Sequence, residues 1–351
     1  LKRQKTRLRH SVCIVLTLAC ILIESRDMTK SGKRRKNRKN RNPVMDYLAY
    51  LGLRLVTAML FCFRVESCLK FASFLGTLMW DHYHRGRKRA LDNLRASFPD
   101  KDEEWLIKTG RRSFQHIVML IVDILFTPRL VKRNNWQKYS RYVNCERIKW
   151  MMHERKGMLM LTAHYGNFEI MGYLLGLFGF NIYSIARPLD NRFINNHLYG
   201  LRQKAGQKII NKKGVSSQVD KIVQDGGTLC FIADQDAGKK GVFVDFFGRK
   251  ASTYKSIGII AMSYNLPIGV ACSRRRDNEF YFDIICNRII TPDEWKDKEK
   301  PLEWITAEYT KAIEDFIRED PSQYWWLHRR WKHKPRGNNK SQKLKIQNKL
   351  K

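Results

Sequence analysis

The sequence is short of acid. Its 351 residues hold 33 Asp and Glu against 67 Lys and Arg, a formal net charge of +34. So basic a chain suits polyanions, either nucleic acid or an anionic membrane surface. It has no helix-turn-helix or RNA-binding signature, so nucleic acid is not an expected partner. None of the eight cysteines forms a CxxC pair. That argues against a structural zinc site or a disulfide framework, and the thiols read as small hydrophobes of a reduced compartment. No internal repeat is visible. No Ser or Cys sits in a nucleophile-elbow pattern, so a histidine base here would act directly on an acceptor hydroxyl. No small-residue cleavage site follows the apolar run 11–23, and thirteen residues are too few to span a bilayer.

The positive charge is uneven. Residues 1–43 carry net +12 and residues 329–351 net +10, leaving +12 for the body. Residues 1–43 are expected to be a basic, disordered or mis-started N-terminus, with Met28 or Met45 as the start. Residues 336–351 read as a basic tail. Between them, 44–80 is apolar. "YLAYLGLRLVTAMLFCF" (47–63) has Arg54 as its one charge, and a second run covers 67–80. The first run lies at the lower limit for a transmembrane helix, or lies in the interface with its arginines snorkelling. Either reading anchors the body to lipid.

Residues 81–150 read as helices broken at Pro99, where Asp100 and Asp102 mark a turn and a helix start. From 157 the pattern alternates. "GMLMLTA", "NIYSIA", "QKII", "GTLCFIA", "PIGVAC" and "EFYFDII" read as strands. Helical patterns lie at 167–179, 191–205, 215–225, 252–265 and 302–318. This alternation predicts an α/β core with a largely parallel sheet, and ligands collect outside the carboxyl ends of such strands.

Polar residues gather after those strands. In "AHYGNFE", His164 follows a strand, Gly166 permits a tight turn, and Glu169 lies near the next helix start. A carboxylate on one imidazole nitrogen holds the tautomer and favours the imidazolium, so His164 and Glu169 read as base and orienting acid. Arg187 follows "NIYSIA", and Pro188 restricts its backbone to extended conformations. Its guanidinium suits a phosphate, a carboxylate or an oxyanion. In "ADQDAG", Asp234 and Asp236 could bind a metal, hold Arg187 or order their loop, and the lack of a nearby third ligand disfavours metal. "VDFFG" supplies either core aromatics or part of a lipid slot. The C-terminal "QYWWLHRRWKHKP" could stack bases or anchor in the headgroup zone.

Taken in order, "HYGNFE", "ARPLDNRFINNHLYGLRQKAGQKIINKKG", "ADQDAGKKGVFVDFFGRKAST" and "PSQYWWLHRRWKHKP" resemble the successive motifs of the bacterial lipid A biosynthesis acyltransferases, over roughly residues 45 to 335. The resemblance implies a glycerolipid-acyltransferase-type α/β core in 81–335, behind an N-terminal membrane helix and a helical segment. It implies residence at the bacterial inner membrane, with the catalytic domain on the cytoplasmic face. Acyl carrier protein would be the thioester donor, with no cofactor and no metal. The acceptor would be an anionic glycolipid, a Kdo-lipid A precursor. The alternative is an acyl-CoA-dependent enzyme acting on another glycolipid, such as a phosphatidylinositol mannoside. His164 and Glu169 match the family's catalytic pair. Arg187, Asn167, Asp234 and Asp236 match positions expected to bind substrate phosphate or an oxyanion.

Overall fold

The computed structural model describes residues 42–154, 156–186, 188–211 and 217–335. The basic tails and Arg187 lie outside the described residues, so the expectations placed on them have no structural counterpart here.

Four helices precede the core: α1 (Pro43–Leu60), α2 (Val65–His82), α3 (His84–Ser97) and α4 (Glu103–Leu130). The Asn42 side chain caps α1, with Pro43 in its first turn, and Asp102 caps α4 through the Trp105 amide at 2.7 Å. Gly76 lets α2 lie close on α4. A Cβ there would sit 2.3 Å from the Gln115 Cα. Among the described residues, α4 alone has the length and apolar content to cross a membrane, but its apolar window is 67% buried within the fold. Its buried apolar side chains belong to the main hydrophobic core.

The alternating part follows as β1 (Ser140–Val143), α5 (Glu146–His153), β2 (Met158–Thr162), α6 (Phe168–Leu177), β3 (Ile182–Ala186), α7 (Arg192–Gln203), β4 (Lys208–Asn211), α8 (Val219–Gln224) and β5 (Thr228–Ile232). After a hairpin of β6 (Val242–Phe246) and β7 (Arg249–Thr253) come α9 (Lys255–Ser263), β8 (Ile268–Arg275), β9 (Phe282–Ile290), α10 (Pro292–Trp295) and α11 (Pro301–Glu319). The main sheet has seven strands in the order β1-β9-β8-β2-β5-β3-β4. Every neighbouring pair is parallel except β8 with β9. The expected largely parallel α/β core is what the chain forms. The central strand β2 is buried at four of its five residues, as expected for a strand covered on both faces.

Two elements differ from the sequence reading. β1, within the stretch read as helical, pairs with β9 as a short edge strand. The helix expected over 252–265 begins only at Lys255, because Arg249–Thr253 folds back on β6. The two-residue turn that allows this puts Phe247 at φ 53° and Gly248 at φ 67°, the twist a tight hairpin demands. Glu314 of α11 holds the Phe247 amide at 2.6 Å. Phe246 and Phe247 are both buried, so "VDFFG" is core.

The helix α1 is attached differently. Leu53 packs with Ile194 and Leu198 of α7 in a small cluster separate from the main core. Tyr47 and Tyr50 lie against Phe193, while much of its remaining surface is apolar and open, with Arg54 an exposed charge. Val44, Leu48, Leu51, Leu55 and Met59 are exposed, from 43% at Leu51 to 65% at Leu55, and Phe63, Phe71 and Phe74 extend the patch onto α2.

Candidate active site

The sheet itself assembles the site. β2 and β5 run side by side and in parallel, with Thr162 paired to Ile232. His164 and Asp234 each lie two residues beyond that pair, so they emerge together at the carboxyl edge. The register continues through the Ala233 amide, which donates to the Thr162 carbonyl at 2.8 Å. His164 Nδ1 then donates to Asp234 Oδ1 at 2.8 Å, and the His164 backbone amide donates to Asp234 Oδ2 at 3.1 Å. Both residues are buried, His164 to 7% and Asp234 to 2% exposure.

The carboxylate of the pair is therefore Asp234, where the sequence spacing had suggested Glu169. Glu169 lies in the first turn of α6 and is gripped by Arg202 in the last turn of α7, through Nε at 2.9 Å and Nη2 at 2.6 Å. The turn at Gly166 reverses the chain, but α6 packs toward α7, and Glu169 is spent on that junction. Asn167 is fully buried and caps α6 through the Ile170 amide at 3.0 Å. Its Nδ2 has no partner among the described residues. Asp236 takes His333 Nδ1 at 2.7 Å. Each carboxylate of "DQD" thus holds one histidine, and the Gln235 side-chain nitrogen stands 3.5 Å from His164 Nε2.

The C-terminal segment closes the site. Sequence reading left 323–335 as a surface anchor or a base-stacking patch; its first part is instead core. Tyr324, Trp325, Trp326, His328 and Arg330 are all buried. The segment binds the loop after β2, with Tyr165 bridging Tyr324 and the Trp325 amide donating to the His164 carbonyl at 3.2 Å. Asn93 of α3 holds it from behind, donating to the Trp326 carbonyl at 2.7 Å and the His328 carbonyl at 3.0 Å. Arg330 runs inward to the Ser252 carbonyl at 2.5 Å and Thr253 Oγ1 at 2.6 Å. As a result the His164 ring is walled by Trp325, His328 and Phe168, with centroids 4.9, 4.7 and 5.2 Å away. The density of tryptophan and tyrosine in the segment was the signal for burial, masked by four Lys and Arg neighbours.

The surroundings shift both the carboxylate and the second histidine. Burial pushes the Asp234 carboxyl up, but the charge and hydrogen bonds of His164 outweigh it and bring the net value down to about 2. Asp234 is thus ionised behind the ring at neutral pH. His328 is brought down to about 3 by burial first, then by His164, Arg89 and Arg330, against an opposing pull from Asp234. It is neutral. His164, Asp234 and His328 also bring one ligand-type atom each within 4.8 Å of one another. Both Asp234 oxygens already accept from His164, however, and zinc-type ligands converge within about 2 Å of one point. As built, the trio is a hydrogen-bonded dyad beside a neutral imidazole.

These groups make stability depend on pH. Unfolded, His328 takes a proton near 6.5; folded, it resists down to about 3. The unfolded state therefore binds more protons over that window, and stability falls as pH drops through it. Asp234, lowered from 3.8 to about 2, adds a loss of the same sign below pH 3.8. Urea unfolding between pH 7 and 4 should show this decline, and His328→Asn should flatten it. An unchanged slope in the variant would remove His328 as the cause.

An α/β sheet with a histidine–aspartate pair at its carboxyl edge, roofed by aromatics, defines a site able to take a proton from a hydroxyl away from bulk water. Comparison with known proteins identifies its family. Residues 35–333 match the description of the bacterial lipid A biosynthesis acyltransferases, and the chain belongs to that family. The lipid A biosynthesis lauroyltransferase of Escherichia coli (strain K12) is 25% identical over 272 residues, covering 75% of this chain and 84% of that protein. The lipid A biosynthesis palmitoleoyltransferase of the same strain is 23% identical over 269 residues, with 75% and 84% covered. A lipid A biosynthesis acyltransferase of Haemophilus influenzae is 24% identical over 271 residues, with 73% and 82% covered. The chain is thus an enzyme of the acyltransferase type.

Proposed function

We propose that the chain transfers a fatty acyl group from acyl carrier protein to a hydroxyl of a Kdo-lipid A precursor, with His164 as general base and Asp234 as its orienting carboxylate. The His164–Asp234 hydrogen bond carries this reading. The acceptor hydroxyl gives its proton to His164 Nε2 as its oxygen attacks the thioester carbon. Asp234 holds Nδ1–H and stabilises the imidazolium that forms. Collapse of the tetrahedral intermediate breaks the C–S bond, and the leaving thiolate takes the proton from His164. Arg187, next after β3, is assigned to the acceptor's phosphate. The basic body suits both an anionic glycolipid and an acidic carrier. The test is purified protein with Kdo-lipid A precursor and either acyl carrier protein or CoA thioesters, read by mass spectrometry. One added acyl increment from the carrier thioester is expected. No transfer from either donor would overturn the proposal.

The same reading seats α1 and the Phe63–Phe74 patch in the cytoplasmic face of the inner membrane. The helix is 18 residues long, or about 27 Å at 1.5 Å per residue, and one side is held by α7. Seating it along the interface buries its open leucines at about 1.5–3 kcal/mol each. Changing Leu48, Leu51 and Leu55 together to Glu should move the protein from sedimenting anionic vesicles to the supernatant. Undiminished sedimentation would place the membrane contact elsewhere.

A further inference from the structure

Among the described residues, two nitrogens beside His164 have no partner. Trp325 Nε1 and His328 Nε2 are both buried without a hydrogen bond. Trp325 lies over the His164 ring at 36°, with centroids 4.9 Å apart. His328 stands edge-on to it at 4.7 Å, and the two rings are 5.3 Å from each other. An indole nitrogen can only donate, and a neutral imidazole carries one N–H. A buried donor left unpaired costs about 1–3 kcal/mol. Trp325 Nε1 is such a donor, and His328 Nε2 is a second in the tautomer that carries its proton there, a cost with no packing benefit unless an acceptor arrives during function. Burial and the neighbouring charge on His164 keep His328 neutral, so it does not compete for the proton that His164 takes.

We propose that Trp325 and His328 are catalytic residues whose N–H groups receive the carbonyl oxygen of the acyl donor and hold it as an oxyanion. This rests on the acyl-transfer reading above. As the acceptor oxygen bonds to the thioester carbon, the carbonyl π pair moves onto oxygen, and the two N–H groups take up that charge. When the C–S bond breaks the carbonyl reforms and the donors release it.

The test uses the whole protein, 15N-labelled at tryptophan and histidine, with an acyl-pantetheine analogue whose thioester is replaced by an amide. Saturation should move the Trp325 indole proton and the His328 N–H proton downfield. In parallel, Trp325→Phe and His328→Phe keep a ring but remove the donor. Each should lower kcat by roughly 10- to 1,000-fold with little change in donor KM, as loss of an oxyanion donor does, and His328→Asn should recover part of it. His164→Ala is assayed alongside. If it transfers acyl groups at the wild-type rate, the general-base reading itself fails. If it is inactive while both Phe variants keep wild-type kcat and neither proton moves, only the present inference fails. Should a variant not fold, the shifts in the unaltered protein decide.

Discussion

Asp234→Asn lowers the rate of acyl transfer by roughly a thousand- to ten-thousand-fold, the cost of removing the carboxylate behind a catalytic histidine, while Glu169→Gln leaves kcat near the wild-type value. The two acids look equivalent from the sequence, and Glu169 is closer along the chain. In space Asp234 holds both Nδ1 and the backbone amide of His164, so an amide in its place presents the wrong group to one of two donors. The ring then loses its tautomer and its support as a cation. Glu169 instead neutralises a largely buried Arg202. Its amide variant should melt lower, because breaking a half-buried bidentate pair strands the guanidinium. Initial rates at a temperature where all three proteins are folded, with melting curves beside them, separate the effects. A Glu169→Gln protein that is stable but inactive, beside an active Asp234→Asn protein, would return the orienting role to Glu169.

The second large effect concerns backbone space. Gly166→Ala should leave little folded, active enzyme. Gly166 sits at φ 54°, and a Cβ there would lie 1.7 Å from the Ser273 carbonyl oxygen. The Gly166 amide also donates to the Gln323 carbonyl at 3.1 Å, and the Asn167 amide donates to Ser273 at 2.9 Å. Loop, β8 and C-terminal segment meet at this residue, so relief of the clash has to move one of them and His164 with it. The expected loss is upwards of 3 kcal/mol, the range of backbone strain compounded by overpacking. Gly179 is the control, with φ 83° but nothing within 4 Å of its Cβ. Its alanine variant carries only the left-handed backbone cost of about 1–2 kcal/mol. Denaturant midpoints for the two proteins should differ clearly. Equal midpoints would show that the loop yields freely around Ser273.

Much of this was legible along the chain. Continuous apolar runs such as "GMLMLTA", separated by helical periods, follow from burial on both faces of a parallel sheet, and they showed the α/β core before any contact was known. His164 stood out for its place after such a run, and Gly166 for the turn it permits. Family motifs added their order. The hairpin at β6 and β7 was hidden because its turn places a phenylalanine in the left-handed region, where sequence rules look for Gly or Asn. The burial of Trp325 and His328 was hidden by the arginines and lysines around them. Those long side chains either reach out from a buried segment or, as with Arg330, turn inward to backbone carbonyls.

Most of the elements, the charge and the histidine were determined along the chain, because these depend on local periodicity and composition. Strand order is not a local property. Only the tertiary structure places β5 beside β2, with Thr162 opposite Ile232, and so gives His164 a partner 70 residues away. It likewise returns the segment around Trp325 and His328 to the sheet edge, where their rings pack beside the base. Pairings of that kind are decided by which strands hydrogen-bond and how helices cover them, so the acid next to the histidine in the chain is not the acid next to it in space.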